Sequence, residues 1–225
     1  MSLFLALWPS GQARDQLARA VRAARPSAPE LRWTPAQEWH LTLVFLGAAG
    51  EKPSELSAAL ERALVGRPAL DLALDDWDTF PQRPPGLRSS EGNGPGQRSS
   101  RGEVPKRRTS RGNGPEHRAS VVWVGVRGEG LRELAGSLAE AARAARVPVP
   151  SRPFVPHITL ARARPSRDVT DTLRLLGPAP TAGWRADRIH LVESRPAGPD
   201  RYRTVRTWGL PWGSESQRDP ERGTS

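Results

Sequence analysis

The sequence predicts an α+β protein: one bilobal, pseudo-symmetric domain whose two antiparallel sheets face a central groove, with helices on the outside. Three observations carry that prediction. Apolar segments follow the order strand–helix–strand–helix–strand on both sides of residues 83–119, where apolar residues almost vanish, and one further strand ends the second half. In each half the strand after the first helix opens on the same pattern, His40-Leu41-Thr42-Leu43 and then His157-Ile158-Thr159-Leu160. The 225-residue length suits one bilobal domain or two small ones.

Taken in order, Leu3 to Trp8 reads as a buried strand, and Pro9-Ser10-Gly11 leads into a helix with Leu17, Ala20, Val21 and Ala24 at helical spacing. Pro26 and Pro29 end it, since proline cannot donate to a helical ladder, and Trp33-Thr34-Pro35 forms a turn. The strand Trp39 to Leu46 closes at Gly47. A second helix starts near Pro53-Ser54, where proline suits the first turn, and presents Leu56, Leu60 and Leu64 on one face. Leu70 to Trp77 alternates as a strand.

Beyond the polar stretch, Val121 to Val126 is a β-branched run fit for a central strand, and Leu131, Leu134, Leu138 and Ala142 mark a helical stripe. Pro148 to Pro153 makes a stiff approach to the strand Phe154 to Ala163, and Val169 to Leu176 forms a short helix. Arg185 to Glu193 and Tyr202 to Trp208 are the last two strands. The body thus spans residues 1–212, and 213–225 form a loose tail.

A formal charge of +10 favours an anionic partner, nucleic acid first, because a positive field gathers phosphates. Yet 32 of the 34 basic residues are arginine, amid abundant Ala, Gly and Pro, which points to GC-rich coding bias and weakens that inference. Residues 83–118 alone hold nine Lys/Arg against Glu91, Glu103 and Glu116, so they carry +6 of the +10. Within them Arg88-Ser89-Ser90-Glu91-Gly92-Asn93-Gly94-Pro95 recurs as Arg108-Thr109-Ser110-Arg111-Gly112-Asn113-Gly114-Pro115, a local duplication. Residues 83–119 are therefore expected to be a basic, disordered loop insertion. Such a loop could gather RNA by counterion release; neutral expansion of a repeat is the favoured account.

The absence of cysteine excludes disulfides, thiolate metal sites and cysteine nucleophiles, and fits a reducing compartment. Leu3 to Trp8 is too short, and lacks the preceding basic residues, for a signal or a membrane span. A cytoplasmic monomer without membrane association is the expectation.

Chemistry concentrates in the two histidine patterns. Strand alternation sets His40 with Thr42 on one face and Leu41, Leu43 and Phe45 on the other; it pairs His157 with Thr159 against Ile158 and Leu160. If the halves are related by a pseudo-twofold, both polar faces meet in one groove. Phosphodiester hydrolysis needs a base for the attacking water and an acid for the departing oxygen, and two imidazoles titrating near neutrality can supply both. The Thr42 and Thr159 hydroxyls can donate to non-bridging phosphate oxygens. No metal is required, and no carboxylate cluster suggests one. A lone histidine on a half-buried strand is ordinarily a hydrogen-bonded structural residue, and His117 and His190 are so assigned. The repetition in equivalent halves is what sets His40 and His157 apart.

Here the sequence resembles the 2H phosphoesterases, and within them the bacterial and archaeal RNA 2′,3′-cyclic phosphodiesterases, historically called 2′-5′ RNA ligases. Trp39-His40-Leu41-Thr42-Leu43-Val44-Phe45-Leu46-Gly47 is similar to the first signature of that family and Pro156-His157-Ile158-Thr159-Leu160-Ala161-Arg162 to the second. Leu3 to Leu7, Phe80-Pro81 and Val122 to Val126 also match its pattern. The resemblance implies the 2H phosphoesterase fold and hydrolysis of an RNA 2′,3′-cyclic phosphate to a 2′-phosphomonoester, with 2′-5′ ligation as the reverse direction. It implies no cofactor. It makes His157 the base that accepts the water's proton and His40 the acid that donates to the leaving 3′-oxygen.

Arg162 matches a phosphate-binding position of the family, but five residues after His157 it has the opposite strand parity, so only a bulge or the strand's end returns it to the groove. Phe154 and Trp33 could stack on a terminal base, with core packing or loop anchoring the first expectation for each. Two rival readings remain: a phosphoesterase acting on a small cyclic nucleotide ester, and a non-catalytic RNA-binding module.

Overall fold

The computed structural model describes residues 2–48, 53–81, 118–195 and 201–211. In chain order these form β1 (Ser2–Leu7), α1 (Gly11–Ala24), β2 (Arg32–Trp33), β3 (Leu41–Gly47), α2 (Pro53–Leu64), β4 (Leu70–Phe80), β5 (Arg118–Arg127), α3 (Leu131–Ala144), β6 (His157–Asp168), α4 (Thr170–Leu176), β7 (Gly183–Ala186), β8 (Arg188–Ser194) and β9 (Tyr202–Gly209). The expected loop lies outside the described residues except for Arg118 and Ala119, which open β5, and so does the expected tail from Gly213.

The α+β class and the antiparallel architecture agree with the sequence reading. The strands run in the order β7-β4-β5-β6-β3-β1-β8-β9, with β2 attached to β6. The nine described strands form one curled sheet whose two lobes are joined along one seam, where β3 and β6 share a single registered pair, Leu41 with Ile158. Exchanging β1 with β5, β3 with β6, β4 with β8 and β7 with β9 reproduces the same order from the other end. That is the pseudo-twofold.

The lobes, however, are not the halves of the chain. β4, from the first half, pairs with β5 in the second lobe, while β8, from the second half, pairs with β1 in the first. Helices show the same exchange, α2 packing on α3 and α1 on α4. The stretch read as one strand from Arg185 to Glu193 is divided at Asp187: β7 joins β4 at one edge and β8 joins β1 in the other lobe. Burial shifts parity across Asp187, from Trp184 and Ala186 to Ile189 and Leu191, but a parity break by itself names no new partner strand.

Local chemistry explains the ends and faces of the elements. The Ser10 hydroxyl accepts a hydrogen bond from the Ala13 amide at 3.2 Å, satisfying one orphan donor at the start of α1, which then buries Ala13, Leu17, Val21 and Ala24. Gly47 ends β3 with φ +64°, a left-handed conformation that glycine adopts without steric cost. Along β1, Leu5 and Leu7 face the main core, whereas Phe4 and Ala6 belong to a second cluster with Val192, flanked by Trp8 and Tyr202. That second face borders the histidine groove. Among the described residues no helix is long and apolar enough to cross a membrane.

Candidate active site

The single β3–β6 pair organises the site. Continuing the register of Leu41 with Ile158 by one residue each way sets His40 across from Thr159 and Thr42 across from His157. Leu41 and Ile158 are fully buried, so the four polar residues share the opposite face. In a regular antiparallel pair such diagonal neighbours stand about 7–8 Å apart, which leaves room for a tetrahedral group between two imidazoles.

Both strands then break alternation at the same point. Ala6 pairs with Thr42 but Leu5 with Val44, which makes Leu43 an extra residue on β3; Trp123 pairs with Thr159 but Val122 with Ala161, which makes Leu160 an extra residue on β6. These are β-bulges, and each reverses the parity of the residues beyond it. Arg162, which strict alternation turns away, is thereby returned to the groove. Phe45, expected with Leu41 and Leu43 on the buried side, is instead 48% exposed. It occupies on β3 the position that Arg162 occupies on β6.

A cavity of about 280 Å³ is lined by His40, Thr42, His157, Thr159 and Arg162, the five residues expected from the sequence. Its walls also contain Arg32, Glu38, Arg201 and Tyr202, which sequence reasoning missed. Arg32 stands directly opposite Arg162 on the β2–β6 pair. Arg201 reaches Glu38 at 3.5 Å and lies over the Tyr202 ring at 5.2 Å. Three guanidiniums around one carboxylate make an anion-attracting pocket. Neither the Thr42 nor the Thr159 hydroxyl is engaged by a described residue, so both are available to a ligand.

The two imidazoles are held alike. His40 Nδ1 lies 2.6 Å from the Glu38 carbonyl oxygen and His157 Nδ1 lies 2.7 Å from that of Val155, each partner two residues earlier in the chain. A carbonyl only accepts, so Nδ1 carries the proton and donates in both rings. Nε2 is left for the pocket in both. His40 stacks on Phe4 with centroids 4.8 Å apart and meets the Tyr202 ring edgewise at 5.0 Å; Phe80 and Trp123 flank His157 at 5.1 and 5.4 Å.

These aromatic walls remove water. Burial pushes the His40 pKa down to about 4, against the upward pull of the Glu38 carbonyl, with His157, Arg162 and Arg201 adding repulsion. Burial likewise lowers the His157 pKa, opposed by the Val155 carbonyl and reinforced by Arg162. Arg162 is itself lowered, first by burial and then by its cationic neighbours, with Tyr202 opposing. The site gathers like charge that an anion would relieve.

The remaining sequence candidates take other places. Trp33 lines the cavity but packs on the core, its Nε1 donating to the Ala28 carbonyl at 3.2 Å, and Phe154 packs on the core away from the cavity. His190 lies 2.9 Å from the Thr207 hydroxyl, outside the cavity, and His117 lies outside the described residues. Among the described residues no group of three or more His, Asp or Glu could hold a metal ion.

Known proteins share both signature regions. A sequence profile described as LigT like Phosphoesterase matches residues 7–88, which include His40, and one described as 2′-5′ RNA ligase superfamily matches residues 111–197, which include His157. No curated protein matches the chain significantly. Among solved structures, E. coli LigT complexed with 3′-AMP is 28% identical, with 93% of this chain and 97% of that chain covered and a TM-score of 0.64. The same protein complexed with ATP is 27% identical, covering 93% and 98%, at a TM-score of 0.62. TT0787 of Thermus thermophilus shares the fold at 24% identity, covering 95% of this chain and 100% of that one, at a TM-score of 0.65. With both signature strands matched and their histidines meeting in one cavity, the chain belongs to the 2H phosphoesterase superfamily.

Proposed function

We propose that this protein opens 2′,3′-cyclic phosphates at RNA 3′ ends, giving 2′-phosphomonoesters, with His157 as base, His40 as acid, and no metal ion. One observation carries the reading: both Nδ1 atoms are committed to backbone carbonyls, so two equivalent Nε2 atoms are offered to a single cavity. In the proposed step, His157 Nε2 accepts a proton from water as the water oxygen attacks phosphorus. The P–O3′ bond breaks, and His40 Nε2–H donates its proton to the departing oxygen. Exchange with solvent then restores both histidines.

Burial and cationic neighbours favour neutral imidazoles in the free protein, so the acid must be charged on binding. A phosphodiester anion does this: negative charge between the rings stabilises an imidazolium there. The Thr42 and Thr159 hydroxyls donate to the non-bridging oxygens, and Arg162 balances the charge that grows on them. The related E. coli LigT, with 3′-AMP or ATP bound, supports a nucleotide as the occupant of the cavity. Joining a 5′-hydroxyl to the cyclic phosphate through a 2′-5′ linkage breaks the same P–O3′ bond and keeps the same roles, His157 accepting the hydroxyl proton in place of water's and His40 protonating the departing 3′-oxygen.

The test incubates purified protein and excess chelator with an RNA ending in a 2′,3′-cyclic phosphate and identifies the product. The expected product is a terminal 2′-phosphate. A 3′-phosphate, or turnover confined to small cyclic nucleotides, would replace this reading with the rival phosphoesterase.

A further inference from the structure

A second concavity of about 940 Å³ lies beside the catalytic cavity, and the segment Arg32-Trp33-Thr34-Pro35 lines both. A chain leaving the cavity over this rim enters the groove. Its floor is apolar, formed by Val21, Leu31, Trp33 and Trp39, while its charged lining consists of Arg22, Arg25 and Arg32, with no carboxylate. Arg22 lies in the last turn of α1 and Arg25 on the single 3-10 turn after it, three residues on. At that spacing they project from one face. None of the three forms an ion pair with a described residue.

We infer that this groove is the track for the 5′-ward part of a single-stranded RNA whose terminal cyclic phosphate sits between His40 and His157. The inference rests on the function proposed above and adds where the rest of the polymer lies. Phosphates every nucleotide require cations spaced along a path, and Arg162, Arg32, Arg25 and Arg22 supply that path from the cavity outward. Bases unstack readily from a single strand and stack on accessible rings, and the half-buried Trp33 on the shared rim offers one. A groove made for a small nucleotide would need neither the length nor the second pair of arginines. Nor does an acidic peptide account for the continuity with a phosphate-binding cavity.

The test compares two substrates and two proteins. Adenosine 2′,3′-cyclic phosphate fills the cavity alone; an oligoribonucleotide of about ten residues with the same terminus also reaches the groove. The protein is wild type or the double variant Arg22→Glu/Arg25→Glu, whose side chains line the groove and not the cavity. The variant is expected to hydrolyse the mononucleotide at the wild-type rate but to lose about tenfold or more in kcat/KM on the oligonucleotide, chiefly through KM. Its slope of log KM against log salt should be shallower by about 1.4, since each phosphate contact on a single strand contributes about 0.7. Equal effects on both substrates, or no effect on the oligonucleotide, would overturn the groove while leaving the proposed function standing. A wild-type protein that opens neither substrate would overturn both. Thermal unfolding of the variant at the wild-type midpoint separates these outcomes from loss of fold.

Discussion

Leu41 and Ile158 face each other across the one registered step between β3 and β6, and the polar residues on either side of that pair are His40, Thr42, His157 and Thr159. The pair sits where the two lobes meet and where the pseudo-twofold relates the two signature strands. Each imidazole therefore has the other motif's threonine as its cross-strand neighbour. The catalytic proposal depends on this seam, since it is what makes two distant sequence patterns one site.

The pH dependence should reflect the low imidazole pKa values. Activity in kcat/KM requires one ring protonated and one neutral in the free protein, and both titrate below the ordinary 6.5. The singly protonated form is most populated between the two values, so the kcat/KM optimum should lie below pH 6.5. Bound anionic substrate raises both values, so the kcat optimum should lie higher. A steady-state pH series measures the two profiles; coincident optima at or above about pH 7 would contradict the electrostatic picture.

Arg162 repels the charged form of both imidazoles. Arg162→Gln should therefore raise both histidine pKa values in the free protein, by a change visible in imidazole C–H proton shifts. It should also lower kcat/KM by about 10²-fold through loss of phosphate stabilisation. Unmoved titrations would place the guanidinium outside the cavity.

The threonines are proposed to hold the phosphoryl oxygens as charge builds on them. Thr42→Val and Thr159→Val preserve shape, and each should lower kcat by about 10²–10³, the usual loss for one such donor. KM should change little. A loss confined to KM would instead indicate ground-state binding.

The acid and base can be told apart by the leaving atom. A substrate with sulfur in place of the bridging 3′-oxygen departs as a thiolate and needs little protonation. It should restore most of the activity of His40→Ala and none of that of His157→Ala. The opposite pattern of rescue would exchange their roles.

Much of this was legible in the sequence because the informative features are local. Apolar periodicity places α1, α3 and the signature strands to within a few residues, and the repeated His-x-Thr pattern identifies four of the cavity residues. The features that escaped are set by long-range pairing. The bulges at Leu43 and Leu160, which leave Phe45 exposed and return Arg162 to the cavity, arise from how β1 and β5 pair alongside, and no residue in either motif announces them. The lobe exchange of β4 and β8 is invisible for the same reason. Arg201 and Tyr202 enter the site at the start of β9, far along the chain from both motifs, and Arg32 was masked by the abundance of arginine.

Single-turnover hydrolysis of an RNA 2′,3′-cyclic phosphate by wild type, His40→Ala, His157→Ala and the double variant tests the central claim most directly. Each single replacement should lower the rate by about 10²–10⁴, and the double variant should fall little further, because acid and base act in one step. Retention of the wild-type rate by either single variant would contradict the account.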